Sequence, residues 1–190
     1  MAIPRIDYST YKARLVDGLR KAWQEARASL PNEHFYLYGI ETDADAVVLT
    51  PFCNTLEQFA RECEDDDFEA ESEFDKWVVD QESVLYGAGA DHTRELQDEV
   101  NQFVFLDEPE PEGAADERRD QLMLVFESAL IALDQEGFFG SGEDRDNVVL
   151  KIEIVDADEE EWDFMVALMK RINPPKSLER FLLLLDELRD

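Results

Sequence analysis

Leu122, Val125, Phe126, Ala129, Leu130 and Leu133 recur at spacings of three and four, the strongest helical stripe in the chain. An apolar stripe of that kind has to be covered, which predicts a central helix here, stopped by Gly137 as its C-cap. The same period runs through Tyr8, Tyr11, Leu15, Leu19, Trp23 and Ala26, a long first helix ended by Pro31-Asn32. It returns in Trp162, Met165, Val166, Met169 and Ile172, behind the capping-box pair Asp158 and Glu161 and ahead of the break Asn173-Pro174-Pro175. A last helix from about Ser177 carries Leu178, Phe181, Leu182, Leu185 and Leu188, a face assigned to core packing rather than to a dimer seam. Two shorter helices are read from Leu56, Phe59, Ala60 and Cys63 behind Thr55 and Gln58, and from Leu96, Val100, Phe103 and Val104, beginning near Asp91 to Thr93.

Between these segments the period drops to two. Phe35 to Glu41, FYLYGIE, is apolar on both alternating faces, as a central strand is, and TDAD then turns the chain into AVVLT, a predicted hairpin. Val148 to Val155 alternates, with Val148, Leu150, Ile152 and Ile154 on one side and Lys151 and Glu153 on the other, which predicts a strand with one solvated face. KWVV, Lys76 to Val79, and SVLY, Ser83 to Tyr86, read as short extended segments. Helices and strands do not alternate strictly and no fixed-period repeat is present. The expected plan is therefore one α+β domain over residues 1–190, a small, mainly antiparallel sheet covered by several helices, with segment 62–75 and loop 107–117 as surface insertions.

Charge limits what such a body can bind. The formal net charge is −29, yet 44% of residues are hydrophobic, so the chain lies outside the disordered class. Residues 1–30 carry +3, so the other 160 carry −32. That field repels nucleic acid and anionic lipid and attracts basic proteins. No apolar run approaches the roughly 20 residues of a membrane span, and MAIPRIDYS has no signal-like core. With two cysteines, Cys53 and Cys63, the reading is a cytoplasmic protein with reduced thiols.

Chemical motifs give no catalytic, cofactor-binding or metal residues. YGAGADH, Tyr86 to His92, begins like a dinucleotide loop but has His92 where a third small residue belongs, so it reads as a turn before a helix. GFFGSG, Gly137 to Gly142, follows a helix and precedes a strand, the wrong polarity for phosphate. Cys53 with His34 or His92 would be a nucleophile and base pair without an orienting third group, and packing explains the cysteines better. Asp43-x-Asp45, Asp144-x-Asp146 and Asp156-x-Asp158 start like calcium loops without the Gly or Glu that complete one, so they read as turns and caps.

The stretch Glu62 to Asp75, ECEDDDFEAESEFD, places nine carboxylates in fourteen residues with no Lys or Arg. A solvated face, adaptation to a salty cytoplasm (6 Lys against 12 Arg) and a protein-binding face all accommodate it. Aromatic anchors within a charged rim favour the third, with Glu62, Glu64, Asp65, Asp66, Asp67, Phe68, Glu69, Glu71, Glu73, Phe74 and Trp77 as partner-binding residues.

FYLYGIETDADAVVLTPFCNTLE, ALDQEGFFG and VVLKIEIVD followed by INPPKSLERFL together resemble a bacterial domain-of-unknown-function family, number 4303. The resemblance runs from the first helix to the last; none of its motifs is catalytic, and the acidic run around Asp65 to Asp67 departs from it. It implies a gene setting like that of immunity proteins in polymorphic toxin systems. The expectation is thus a non-enzymatic protein, monomer or homodimer, that neutralises a basic partner such as a toxin. The alternative is a structural or regulatory domain whose acidity reflects solubility or high salt.

Overall fold

The computed structural model describes residues 6–65, 77, 85–87, 89–104 and 113–189. In chain order the elements are α1 (Tyr8–Ser29), β1 (Phe35–Thr42), β2 (Thr50–Thr55), α2 (Leu56–Asp65), β3 (Leu85–Tyr86), α3 (Arg94–Val104) after a short 3-10 turn, α4 (Ala114–Gln135), α5 (Glu143–Asp146), β4 (Val149–Ile154), α6 (Glu159–Ile172) and α7 (Pro175–Arg189). Loop 107–117 is shorter than read from the sequence, because α4 already begins at Ala114; the rest of that insertion up to residue 112 lies outside the described residues.

The four strands form one sheet in the order β3-β2-β1-β4. β2 pairs antiparallel with β1 and with β3, but β4 lies parallel to β1, Leu37 opposite Val149 and Thr42 opposite Ile154. The α+β plan holds, while the sheet is mixed. The hairpin also shifts. Residues 46–49 are not its second strand: the Asp43 side chain accepts from Val47 N and Val48 N at 2.8 and 3.4 Å, Ala46 takes φ 57, and the loop tucks Ala46 and Leu49 into the core. The ladder resumes at Thr50–Thr55.

One face of the sheet is covered by α1, α3 and α4. Tyr11, Leu15, Leu19, Trp23, Leu96, Val100, Leu122, Phe126, Leu130 and Leu133 meet Tyr38, Ile40, Cys53, Leu150 and Ile152 in the larger core. The periodic stripes of α1 and α4 are thus the buried ones. Gly137, at φ 75, ends α4 with Phe138 N reaching back to Leu133 O at 3.0 Å. Gly89 is a turn glycine at φ +69 whose added Cβ would lie 2.4 Å from Ala22 Cα; the glycine pair before α3 lets that turn press on α1 rather than cradle phosphate.

The other face was expected to be solvated and is not. Leu37, Phe52 and Val149 pack there under Trp77, α7 (Leu178, Phe181, Leu185) and part of α6 (Val166, Met169). Lys151, on this face, is only 1% exposed. The alternation in β4 therefore separates two cores, with Lys151 and Glu153 held as an ion pair beneath the second.

β4 is an edge strand, and α6 closes that edge. Ile154 N donates to Met165 Sδ at 3.0 Å, and Leu150 N donates to Asn173 Oδ1 at 2.7 Å. Asn173 Nδ2 returns the bond to Leu150 O at 2.7 Å and also reaches Met169 O at 3.0 Å. One amide thereby imitates a neighbouring strand and caps α6, leaving no bare ladder at that point. Pro174 follows in the chain and Pro175 opens α7 at its first turn, where a missing N–H costs nothing. Among the described residues no helix is long and apolar enough to cross a membrane.

Candidate functional site

The residues singled out in the acidic stretch fall largely beyond what is described. Asp66, Asp67, Phe68, Glu69, Glu71, Glu73 and Phe74 lie outside the described residues, and Glu62, Glu64 and Asp65 belong to the last turn of α2 without described side chains. Trp77 is placed, and it is buried: its ring meets Tyr36 edge-on at 5.7 Å and Phe181 at 6.4 Å, and its carbonyl accepts from Lys151 Nζ at 2.9 Å. A ring spent on the inner core is not an anchor for a partner, so Trp77 leaves that set.

A second acidic surface, not anticipated as a unit, is built by the parallel strand pair. β1 and β4 end together, Thr42 opposite Ile154, and Val155 N donates to Thr42 O at 2.9 Å. The turns that follow therefore rise side by side, each spelling Asp-Ala-Asp: Asp43 to Asp45 and Asp156 to Asp158. With Glu159, Glu160, Glu161 and Asp163 on the first turns of α6 they bring eight carboxylates to one edge, and residues 42–48 and 155–163 contain no Lys or Arg. Ligand-facing surfaces of sheets tend to lie at the carboxyl ends of parallel strands, because loops there are free to vary.

Part of this charge is structural. Asp43 closes its own loop. Asp158 Oδ1 accepts from Glu161 N at 2.9 Å while Glu161 Oε2 accepts from Asp158 N at 2.9 Å, a reciprocal capping box, and acidic groups in the first turn of α6 complement its dipole. Asp45, Asp156, Glu159 and Glu160 remain exposed beyond those duties. Next to them two apolar side chains face solvent, Val155 at 38% and Phe164 at 41%, the latter one turn along α6 from Glu160. Carboxylates around exposed apolar groups are the arrangement sought in the acidic stretch. The signal for it in the sequence was the repeated Asp-Ala-Asp, which taken singly reads as a turn or a cap.

Below the rim the strands carry two further carboxylates inward. Glu41 and Glu153 face each other in register, 3% exposed for Glu41, and Lys151 pairs with Glu153. Burial, then the negative charge of Glu41, pushes the Glu153 carboxyl above the usual range, with Lys151 pulling against them.

The groups considered for nucleophilic chemistry are separated. Cys53 is fully buried in β2, where loss of solvent pushes its thiol up to about 12. His34 Nδ1 contacts Glu57 Oε1 at 2.5 Å, and His92 Nε2 contacts Glu25 Oε2 at 2.9 Å, both on the surface. The three calcium-like starts are used elsewhere too: Asp43 and Asp158 as above, and Asp146 in a 3.0 Å pair with Lys176. Two basic groups of α1 serve their own body, Arg14 binding Glu99 of α3 at 2.5 Å and Arg20 binding Glu136 at 2.6 Å.

Comparison with curated proteins and with solved structures returns no match to the chain. A family profile described as a domain of unknown function, DUF4303, matches residues 15–174, which reach from within α1 to Pro174, just before α7. The chain therefore belongs to the DUF4303 family.

Proposed function

We propose that this protein is a non-enzymatic binding protein that engages a basic protein partner through its anionic surface, in the most specific form an immunity or antitoxin-like protein that covers a cationic toxin. The observation that carries the reading is the rim: eight carboxylates and no cation in residues 42–48 and 155–163, set around exposed Val155 and Phe164. Charge of one sign steers a cationic partner into contact, and apolar groups within the rim hold it there. The acidic stretch at 62–75 adds to the same field. The toxin-neutralising form rests on the family resemblance, and the buried thiol of Cys53 supports a role outside nucleophilic catalysis.

A second reading has its own support. Exposed carboxylates also coat α3 (Glu95, Asp98) and the start of α4 (Asp116, Glu117, Asp120), as general acidity for solubility in a salty cytoplasm requires. One experiment separates the two. The basic protein captured by this chain from its own cells is identified, and its association rate is measured by stopped flow for wild type, for Glu159→Lys/Glu160→Lys and for Asp65→Lys/Asp66→Lys/Asp67→Lys. Docking at the rim requires the first variant to associate about tenfold more slowly at low salt, with the difference fading as salt screens it. Equal rates for all three proteins at every salt concentration remove both surfaces from the account.

A further inference from the structure

At the opposite, amino-terminal end of β1 and β4 the fold leaves a cleft of about 1010 Å³. Its walls include Arg27 near the end of α1, Phe35 and Tyr38 of β1, Phe138 and Gly140 after α4, and Lys176 of α7. Arg27 is half-buried and held rigidly: Nε donates to Tyr38 Oη at 2.6 Å and Nη1 to Phe138 O at 3.0 Å, while the guanidinium carbon lies 4.4 Å from the Phe138 ring centroid and 5.0 Å from that of Tyr38. None of these partners is a carboxylate, in a chain with 47 of them. By contrast the buried Arg145 is neutralised by Asp134 at 2.5 Å, and Lys176 in the same cleft by Asp146 at 3.0 Å. Arg27 Nη2 donates to no described group. A partly desolvated charge fixed between rings, with one arm of its fork unused, is an anion receptor awaiting its anion.

The other wall residues decide which anion. Glu33, Asp144 and Asp146 line the same cleft together with Lys176 and Arg180; Lys176 is already held by Asp146 and Glu33 by Arg61, so a polyphosphate would meet walls of mixed sign rather than a cluster of open cations. A single negative charge fits, one oxygen of a carboxylate accepting a charge-assisted hydrogen bond from the unused Nη2 of Arg27. Phe35 and Phe138 supply flat apolar surface beside it. We propose that the cleft is a binding site for a small aromatic carboxylate, its carboxylate on Arg27 and its ring against Phe35 and Phe138. This assignment is independent of the docking role of the acidic rim at the far end of the strands.

The test uses the full-length protein with 2-naphthoate, its neutral analogue 2-naphthalenemethanol, inorganic phosphate and adenosine 5′-monophosphate as probes, followed by calorimetry and by nitrogen-15 NMR. The expected result is naphthoate binding at least tenfold tighter than each of the other three, with shifts concentrated at Arg27 Nε–H and the amides of residues 137–140. Arg27→Gln should abolish the preference for naphthoate over the alcohol. Because Arg27 also steadies Tyr38 and the 138 carbonyl, Phe35→Ala serves as the second variant, leaving the guanidinium in place while weakening naphthoate several-fold. Equal binding of the acid and the alcohol, tighter binding of phosphate or adenosine monophosphate, or naphthoate shifts confined to another surface would each overturn the assignment, as would wild-type affinity in either folded variant.

Discussion

Replacing Lys151 by Met tests how the second core is assembled. Methionine keeps the length and apolar stem of the lysine and removes only the ammonium group. That group is 1% exposed, donates to the Trp77 carbonyl at 2.9 Å, pairs with Glu153 and lies 5.7 Å from the ring centroid of Trp162. Without it Glu153 and Glu41 are left as facing carboxylates under the layer formed by Trp77 and α7, and a carbonyl loses its donor. Breaking a buried ion pair from one side costs about 3–5 kcal/mol, a large part of the 5–15 kcal/mol typical of a folded domain. At roughly 2–4 °C per kcal/mol for a chain of this size, the melting temperature should fall by about 6–20 °C. The loss should also depend on pH. The Glu153 carboxyl is raised in the folded state above its value of 4.5 when unfolded, first by burial, with Lys151 opposing. A carboxyl raised by folding binds its proton more tightly in the native state, so it costs stability above its folded value and the cost is relieved as pH falls toward 4.5. Removing Lys151 raises it further, so the penalty of Lys151→Met should be greatest near pH 8 and smaller near pH 5. Lys151→Met/Glu153→Leu should recover most of the loss. Urea unfolding followed by tryptophan fluorescence at both pH values measures each quantity. A loss under about 1 kcal/mol at pH 8, or an equal loss at both pH values, would refute the account of a charge pair sustaining this core.

Three other outcomes follow from single contacts. Gly39→Ala should destabilise by about 3 kcal/mol in urea unfolding, because the added Cβ would lie 2.2 Å from Phe52 Cζ and 2.5 Å from the Lys151 carbonyl, and the carbonyl belongs to a ladder that does not give. Asn173→Ala should cost about 2–4 kcal/mol by removing one side chain that serves Leu150 N–H, Leu150 C=O and Met169 C=O, with hydrogen exchange at the Leu150 amide rising more than at amides between β1 and β2. In a Cys63→Ala background, Cys53 should resist a thiol reagent under native conditions at neutral pH and react only as urea opens the fold; fast native labelling would contradict its burial.

The helices were legible because their information is local. A stripe such as Leu122 to Leu133 buries the same face whichever core it meets, and Asp158 with Glu161 forms its capping box within one turn. Most of what failed depends on distant chain; the hairpin failed for a local reason. Apolar residues 46–49 look like a strand, yet Asp43 captures their amides, and Thr50–Thr55 is the strand despite Pro51 and Asn54 in it. The parallel pairing of β4 with β1 is invisible to alternation, since period two is the same in either direction. Lys151 and Glu153 read as a wet face because nothing near them in sequence announces that Trp77 and α7 cover it. The rim was hidden for the same reason: its two Asp-Ala-Asp turns are more than a hundred residues apart and become neighbours only through the register of Thr42 with Ile154. Asn173, within the INPPKSLERFL segment that carries the family resemblance, proves to fasten α6 to the edge of β4, so that part of the resemblance marks how the sheet is closed rather than a reaction.

The two proposed sites occupy opposite ends of the same strand pair, and that separation can be used. β1 spans eight residues, which at about 3.3 Å per residue puts the acidic rim roughly 25 Å from Phe35 at the cleft. Exposed charges that far apart are screened from one another at 0.1 M salt, where the Debye length is about 10 Å. Glu159→Lys/Glu160→Lys should therefore slow a cationic partner without changing naphthoate affinity at that ionic strength, and at 10 mM salt, with a Debye length of about 30 Å, should tighten naphthoate modestly by weakening the general negative field. The same pair of titrations distinguishes two independent sites from one extended surface. Loss of naphthoate binding in the rim variant at 0.1 M, with the fold intact by circular dichroism, would mean that the two ends are coupled through the sheet and not merely joined by it.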